Sequence, residues 1–397
     1  MNKMLVFLDE LYLKDSKTNQ YVSKYTSGLF FKGFTNTNLQ YILPTQNFND
    51  IDTKDLYSNY ISVDRVYPLK SWTSNYEFFK KYILSHSFRK DLFYKISQSI
   101  VNNEIVWVRL PSYAGLLIAK RTLKLNKKLI IHVAGGIKQS WRSNKYKGIT
   151  KFIAFLFANY MHYLQFRIIK NKNVLVLVTG DHLIKEYSNK HNNLYFFIDN
   201  NINVAHKKSL KENTSNINFL FIGRLTKEKG IYILLDAFKS YIDNKKFSNN
   251  TLTIVGFGPE EDNLKKYILK YGLETNVKFK GFIPNSKIDT VLLENDFLIM
   301  PSISYYEGFP RVIIEAWCYG LGVLSVELEG IKSLSFNGKN ILFFKKNDSN
   351  SLAEKLFLLS NDIEFCNNIF SNVSLMQKKL LYVNFKKLIE SKINKIL

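Results

Sequence analysis

Arg224 and Lys229 lie five residues apart on one turn, a spacing that lets both reach a single anion. The run Phe221-Ile222-Gly223-Arg224-Leu225-Thr226-Lys227-Glu228-Lys229 reads as a strand ending at Ile222, a tight exit at Gly223, and a turn into a helix. Two cations at the C-terminal edge of a sheet can neutralise a departing diphosphate. Arginine supplies a planar fork for two oxygens and lysine a point charge. Alone, Gly-Arg-x4-Lys is more often a solvated turn, so its meaning depends on what surrounds it.

The surroundings repeat the theme. Gly256-Phe257-Gly258-Pro259-Glu260 closes the next strand. Gly256 and Gly258 would let backbone approach a ligand, and the proline and acidic residues suit a helix start. Gly281-Phe282-Ile283-Pro284 follows, with Phe282 and Ile283 placed to offer backbone groups to a nucleobase edge. The strongest element is Glu307-Gly308-Phe309-Pro310-Arg311-Val312-Ile313-Ile314-Glu315. Pro310 fits a first helical turn, and amides from Gly308 to Val312 would open toward a phosphate. Glu315, a turn further on, suits a ribose diol, which donates two hydrogen bonds to a carboxylate. Glu307, in the loop, is placed to meet a sugar. Two isolated glutamates would be an ordinary loop carboxylate and a dipole-favoured helix carboxylate; the full run outweighs that reading.

Short β-branched or aromatic runs alternate with helical stretches through most of the chain, which predicts parallel sheets built from βαβ units. Strands are expected at 4–8, 39–43, 105–109, 129–133 and 174–179 in the first half. The second half adds 218–222, 251–255, 277–280, 296–300, 322–326 and 341–344. The polar stretch 200–215 separates the two series and reads as a linker. The expected domains are 1–205, 206–376 and a closing helix, 377–397, that crosses back onto the first domain. A chain of 397 residues is long enough for two cores.

The chain carries 56 Lys and Arg against 33 Asp and Glu, a net charge of +23 that favours an anionic partner. The basic groups are nearly all lysine, and a Lys/Asn/Ile/Phe/Tyr-rich chain is also what an AT-biased genome encodes. Nucleic acid ranks last among anionic partners, because the lysines are dispersed and no zinc-finger, RRM-like or basic-zipper pattern occurs. Cys318 and Cys366 are the only cysteines, which excludes a disulfide framework and points to a reducing compartment. The apolar run at 4–8 is too short for a signal peptide and is followed by Asp9 and Glu10, so a cytoplasmic protein is expected. The histidines show no zinc-type spacing, no metal or cofactor is expected, and Asp50 and Asp52 read as a solvated loop.

One helix stands apart, at 149–170. Lys151, Asn159, His162 and Gln165 fall on one arc, leaving a wide aromatic face, and Lys145, Lys147, Arg167, Lys170 and Lys172 flank it. It is too short and too interrupted to span a bilayer. Two readings stay open: an interfacial helix on the anionic inner face of the cytoplasmic membrane, or a helix buried in the first core.

On these motifs, residues 219–345 resemble the donor domain of glycosyltransferase family 4, the retaining enzymes of GT-B fold. Asn337-Gly338-Lys339-Asn340-Ile341 is similar to that family's later Asn-Gly strand. The resemblance implies two Rossmann-like α/β domains whose parallel sheets face across an interdomain cleft. It implies that Arg224 and Lys229 hold the diphosphate of a UDP- or GDP-sugar, Glu315 its ribose, and Glu307 the transferred sugar. It further implies metal-independent transfer, with retention, to a saccharide or lipid-linked acceptor in bacterial surface polysaccharide synthesis. Gly320-Leu321-Gly322-Val323 departs from the family's Gly-x-Pro-Val without removing chemistry. The segments at 106–112 and 130–136 resemble bacterial exopolysaccharide and O-antigen transferases more loosely. By that resemblance His132, at a strand end, contacts donor or acceptor. No glycine loop is evident after the first strand; Ser27-Gly28 or Gly33 would have to stand in. A nucleotide-sugar epimerase of the same fold and a catalytically inert scaffold are the rival readings.

Overall fold

The computed structural model describes residues 3–15, 17–23, 25–35, 37–48, 59–142, 146–191, 193–213, 216–244, 247, 249–303 and 309–396. The chain divides into two compact units, Met1–Asn201 with Phe385–Leu397, and Ile202–Asn384.

In the first unit, β1 (Lys3–Phe7), β4 (Asn38–Phe48), β6 (Val66–Lys70), β7 (Ile105–Leu110), β8 (Lys128–Val133), β9 (Val174–Val178) and β10 (Leu194–Phe196) pair in parallel. Their central members read as continuous apolar runs because helices cover parallel sheets on both faces. β9, Val-Leu-Val-Leu-Val, is buried throughout. β2 (Tyr12–Asp15) joins β4 in parallel, while β3 (Gln20–Ser23) runs antiparallel to both β2 and β5 (Asn59–Ser62). On one face pack α1 (Asn75–Leu84), α2 (His86–Val101), α3 (Tyr113–Lys124) and α4 (Gly148–Ile169), with α5 (Asp181–Tyr187) following β9. Ser74, Ser85 and Ser112 cap the first three, each accepting a backbone N–H three residues on.

The second unit holds β11 (Asn218–Ile222), α6 (Ile231–Ile242), β12 (Thr251–Val255), α7 (Glu261–Lys270), β13 (Val277–Gly281), α8 (Ile288–Glu294), β14 (Phe297–Met300), α9 (Arg311–Cys318), β15 (Gly322–Ser325) and β16 (Ile341–Phe343). All its strand pairs are parallel, in the order β13-β12-β11-β14-β15-β16. Then come α10 (Ser349–Asn361), α11 (Ile363–Leu380) and α12 (Tyr382–Ile396).

The expected strands are all present, within one or two residues except that β4 extends to Phe48. The antiparallel β2–β3–β5 edge was not foreseen, because four-residue strands give too little alternation to read. The 200–215 stretch is less a free linker than a strap on the second unit. His206 N–H donates to Cys318 O at 2.8 Å, and Lys208 and Lys211 reach the buried carboxylate of Asp296 at 3.5 and 2.9 Å. The closing helix breaks at Leu381 between α11 and α12, and from Phe385 the chain is part of the first unit. There Phe385 meets Phe197 edge-on at 5.9 Å, and Lys392 lies over the Tyr195 ring at 4.2 Å. Gly28 packs against Asn59 and Tyr12 inside the first unit rather than forming a ligand loop.

The α4 helix matches neither reading along its whole length. Its C-terminal half is core: Met161, Gln165, Ile168 and Ile169 are buried, and Gln165 Nε2 donates to Tyr187 Oη at 2.9 Å. Its N-terminal half is exposed, with Ile149 76% and Phe152 61% accessible.

Asp296 also accepts the Asn218 amide at 2.9 Å, so its buried charge is fully engaged. Asp296→Ala leaves the partly buried Lys208 and Lys211 ammonium groups with backbone carbonyl acceptors but no counter-charge, and is expected to cost about 3 kcal/mol. A lowered urea midpoint at unchanged slope would show it.

Candidate functional site

In the second unit β11 pairs with β12 on one side and β14 on the other, so the connections leave in opposite directions at that point. Ligands of open α/β sheets bind beyond the strand ends at such a switch. The segments singled out in the sequence, Gly223–Lys229, Gly256–Gly258, Phe282–Ile283 and Pro301, collect at this edge because their strands are parallel.

Backbone bonds continue past the strand ends and tie the loops together. Gly223 N–H donates to Val255 O at 3.0 Å, Leu225 N–H to Phe257 O at 2.9 Å, and Gly256 N–H to Gly281 O at 2.8 Å. A Cβ on Gly256 would stand 1.8 Å from Gly223 O, at a φ of +144°. One on Gly258 would stand 2.4 Å from Leu225 O. These glycines therefore admit a neighbouring loop, a demand that applies whatever binds beyond them. Arg224 is left exposed on the supported turn.

Lys229 is tied to the other side of the switch. Ile303 N–H donates to Glu228 O at 2.9 Å, and Gly230 turns left-handed at φ +69° with Pro301 O where its Cβ would be. Lys229 thus sits, half-buried, beside the segment that leads from β14 toward α9. Glu307 and Gly308 lie outside the described residues, as do Asp50 and Asp52.

Pro310 caps α9 rather than opening its first turn. Ile313, Ile314, Ala316 and Trp317 are buried, which leaves Arg311, Val312 and Glu315 on the less covered side. Phe309 is half-buried just before the cap. Burial pushes the Cys318 thiol up to about 12, and the Glu315 carboxylate adds to the rise. Phe257 and Phe282 meet edge-to-face at 5.5 Å and are both exposed beyond β12 and β13, with Ile283 beside them.

The first unit gives a different result for His132. It is 1% exposed, boxed between Trp107 and Phe197, with ring centroids at 6.1 and 4.8 Å. Its Nε2 lies 2.9 Å from Thr179 Oγ1, which itself donates to Phe197 O at 2.8 Å. With that hydroxyl proton committed, Nε2–H must be the donor. His132 is a core group that orders strand ends, not a strand-end side chain presented to substrate. The groups that do gather beyond β1 and β7 are Asp9, Glu10, Arg109 and Asp199. Arg109 lies 3.9 Å from Glu10 and 3.6 Å from Asp199, and Trp72 Nε1 donates to Asp9 at 2.7 Å. Burial raises the Asp9 pKa, against hydrogen bonds from Ser112 and Trp72 and the charge of Arg109. The signal was available: two acids directly after the first strand, and an arginine at the end of an otherwise apolar one.

Residues 203–374 match the family model described as glycosyl transferases group 1. The putatively assigned colanic acid biosynthesis glycosyltransferase WcaL of Salmonella typhimurium is 29% identical over 153 residues. That alignment covers 38% of this chain and only 37% of the WcaL protein, so the chain spans under two-fifths of that relative. Protein CapJ of Staphylococcus aureus is 28% identical over 327 residues, 78% of each chain. The crystal structure of Anabaena Alr3699/HepE in complex with UDP superposes over 100% of both chains with a TM-score of 0.69 at 17% identity. The fold is therefore the GT-B arrangement of two Rossmann-like domains.

Two substitutions test this geometry. Gly256→Ala forces a Cβ into Gly223 O and is expected to destabilise by about 1–3 kcal/mol, read from urea unfolding. Asp9, its folded pKa raised, contributes proton-linked stability below about pH 4 and loses it as pH climbs through the raised value. Asp9→Asn keeps an acceptor for Trp72, so the variant is expected to melt higher than wild type at pH 7. That difference should close by about pH 4 in a series of thermal melts.

Proposed function

We propose that this chain is a glycosyltransferase that moves a sugar from a UDP- or GDP-sugar to a saccharide or lipid-linked acceptor in bacterial surface polysaccharide synthesis. The observation that carries the reading is the pair Arg224 and Lys229 at the β11 switch point, one on each side of the supported turn. The match to the glycosyl transferases group 1 model and the names of the relatives favour transfer over epimerisation.

In this mechanism the bond from the anomeric carbon to the donor phosphate breaks as the acceptor hydroxyl forms its own bond to that carbon. The leaving diphosphate gains charge, which Arg224, Lys229 and the first amides of α9 take up. The acceptor's proton passes to the departing phosphate oxygen on the same face of the sugar, giving retention. Glu315 holds the ribose and Glu307 the transferred sugar. Metal independence and family 4 membership belong to the same proposal and rest on the resemblance of the motifs. The first unit takes the acceptor, with Asp9, Glu10 and Arg109 as the polar groups available to sugar hydroxyls.

Lys229→Ala is expected to lower turnover by about 100- to 1,000-fold, the scale of losing one preorganised charge partner in a transition state. Its melting temperature without nucleotide should equal that of the wild type. UDP or GDP should raise the melting temperature of the wild type and not of the variant. Wild-type turnover in Lys229→Ala would remove the phosphate assignment.

A further inference from the structure

The α4 helix is laid into the first unit with its apolar stripe outward. Ile149, Phe152, Ile153, Leu156, Tyr160 and Tyr163 recur at three- and four-residue spacing and are all exposed. The inward side of the same helix, Ala158, Met161, Gln165, Ile168 and Ile169, is already buried in the first unit, so the outward stripe is apolar surface beyond what the core uses. An exposed apolar stripe of this kind marks an interaction surface. The stripe is extended by Tyr76 on α1, which meets Phe157 at 6.4 Å and is itself exposed.

Charge identifies the partner. Between Glu104 and Asp181 the chain has fourteen lysines and arginines and not one acidic residue. Lys147 and Lys151 stand exposed at the start of α4, Arg167 and Lys170 at its end. Arg167 lies over Tyr163 at 5.8 Å, and Lys151 over Trp141 at 5.8 Å. Trp141 also meets Phe155 edge-on at 5.3 Å. Aromatic rings and cations bracketing an apolar stripe match the depth profile of an anionic membrane surface: acyl chains, then interface, then phosphates. No helix among the described residues is long and apolar enough to cross a membrane, so α4 lies along the surface. A second copy of this chain is disfavoured as the occupant, because pairing the stripes would oppose cation to cation.

We propose that α4, with Tyr76 and Trp141 beside it, docks the first unit on an anionic phospholipid bilayer. The inference does not rest on the transferase reading, and its test needs neither donor nor acceptor. The full chain is sedimented with vesicles of phosphatidylcholine alone and of phosphatidylcholine containing roughly one third phosphatidylglycerol. Wild-type protein is expected to pellet with the anionic vesicles and to stay largely in solution with the neutral ones. The double variant Phe152→Ser, Leu156→Ser is expected to lose about tenfold or more of that binding while melting like the wild type. Lys147→Glu with Lys151→Glu should bind more weakly and with less dependence on salt. Leu375→Ser, an equally exposed apolar site on α11, should change nothing. The proposal falls if wild type ignores both vesicles, if the double variant binds anionic vesicles as wild type does, or if wild type is a dimer that Phe152→Ser, Leu156→Ser dissociates.

Discussion

The pairing of β11 with β12 on one side and β14 on the other is the constraint from which the donor-side geometry follows. Because every strand in that sheet is parallel, each sends its C-terminal exit to one edge, and the exits must share limited space there. Loop rests on loop, main chain against main chain, where only glycine fits. The cost is conformational freedom. The gain is a turn carrying Arg224 and Lys229 whose position is set by neighbouring backbone on two sides. Charge complementarity works best when the charges need not be reorganised at the moment of reaction.

The two units treat charge in opposite ways. In the second, the buried Asp296 is satisfied by Lys208, Lys211 and a backbone amide, and its work is to hold that unit's own leading strap against the sheet. In the first, Asp9, Glu10, Arg109 and Asp199 are gathered at strand ends, with Arg109 3.9 Å from Glu10 and 3.6 Å from Asp199. A carboxylate held above its ordinary pKa by burial, beside an arginine, is the more reactive arrangement, and perturbed groups of this kind concentrate at functional sites.

Periodicity was enough to place the parallel strands, since a covered strand such as Val174–Val178 has no polar face to confuse the reading. Turn chemistry located the edge where the strands end. What it did not reveal was the purpose of Gly256 and Gly258, because a glycine demanded by a ligand and one demanded by a neighbouring carbonyl look alike in one dimension. His132 failed for a related reason. A strand-end position says how far along the sheet a side chain lies, but not that Trp107 and Phe197 close over it. For α4 the composition was read correctly and the direction was not. Its arc of Lys151, Asn159, His162 and Gln165 marks one side of the helix without saying which way that side faces, and Gln165 turns inward to Tyr187.

The return of the chain at Phe385 has a consequence for how the molecule is made. Phe197 and Tyr195 receive covering side chains from Phe385 and Lys392, which are synthesised only after all of the second unit. During synthesis the N-terminal unit must therefore wait, with an aromatic seam open, while a later and contiguous unit can close on its own. Assembly order is thus inverted relative to chain order at this seam, and a nascent chain stalled before Phe385 presents it to chaperones.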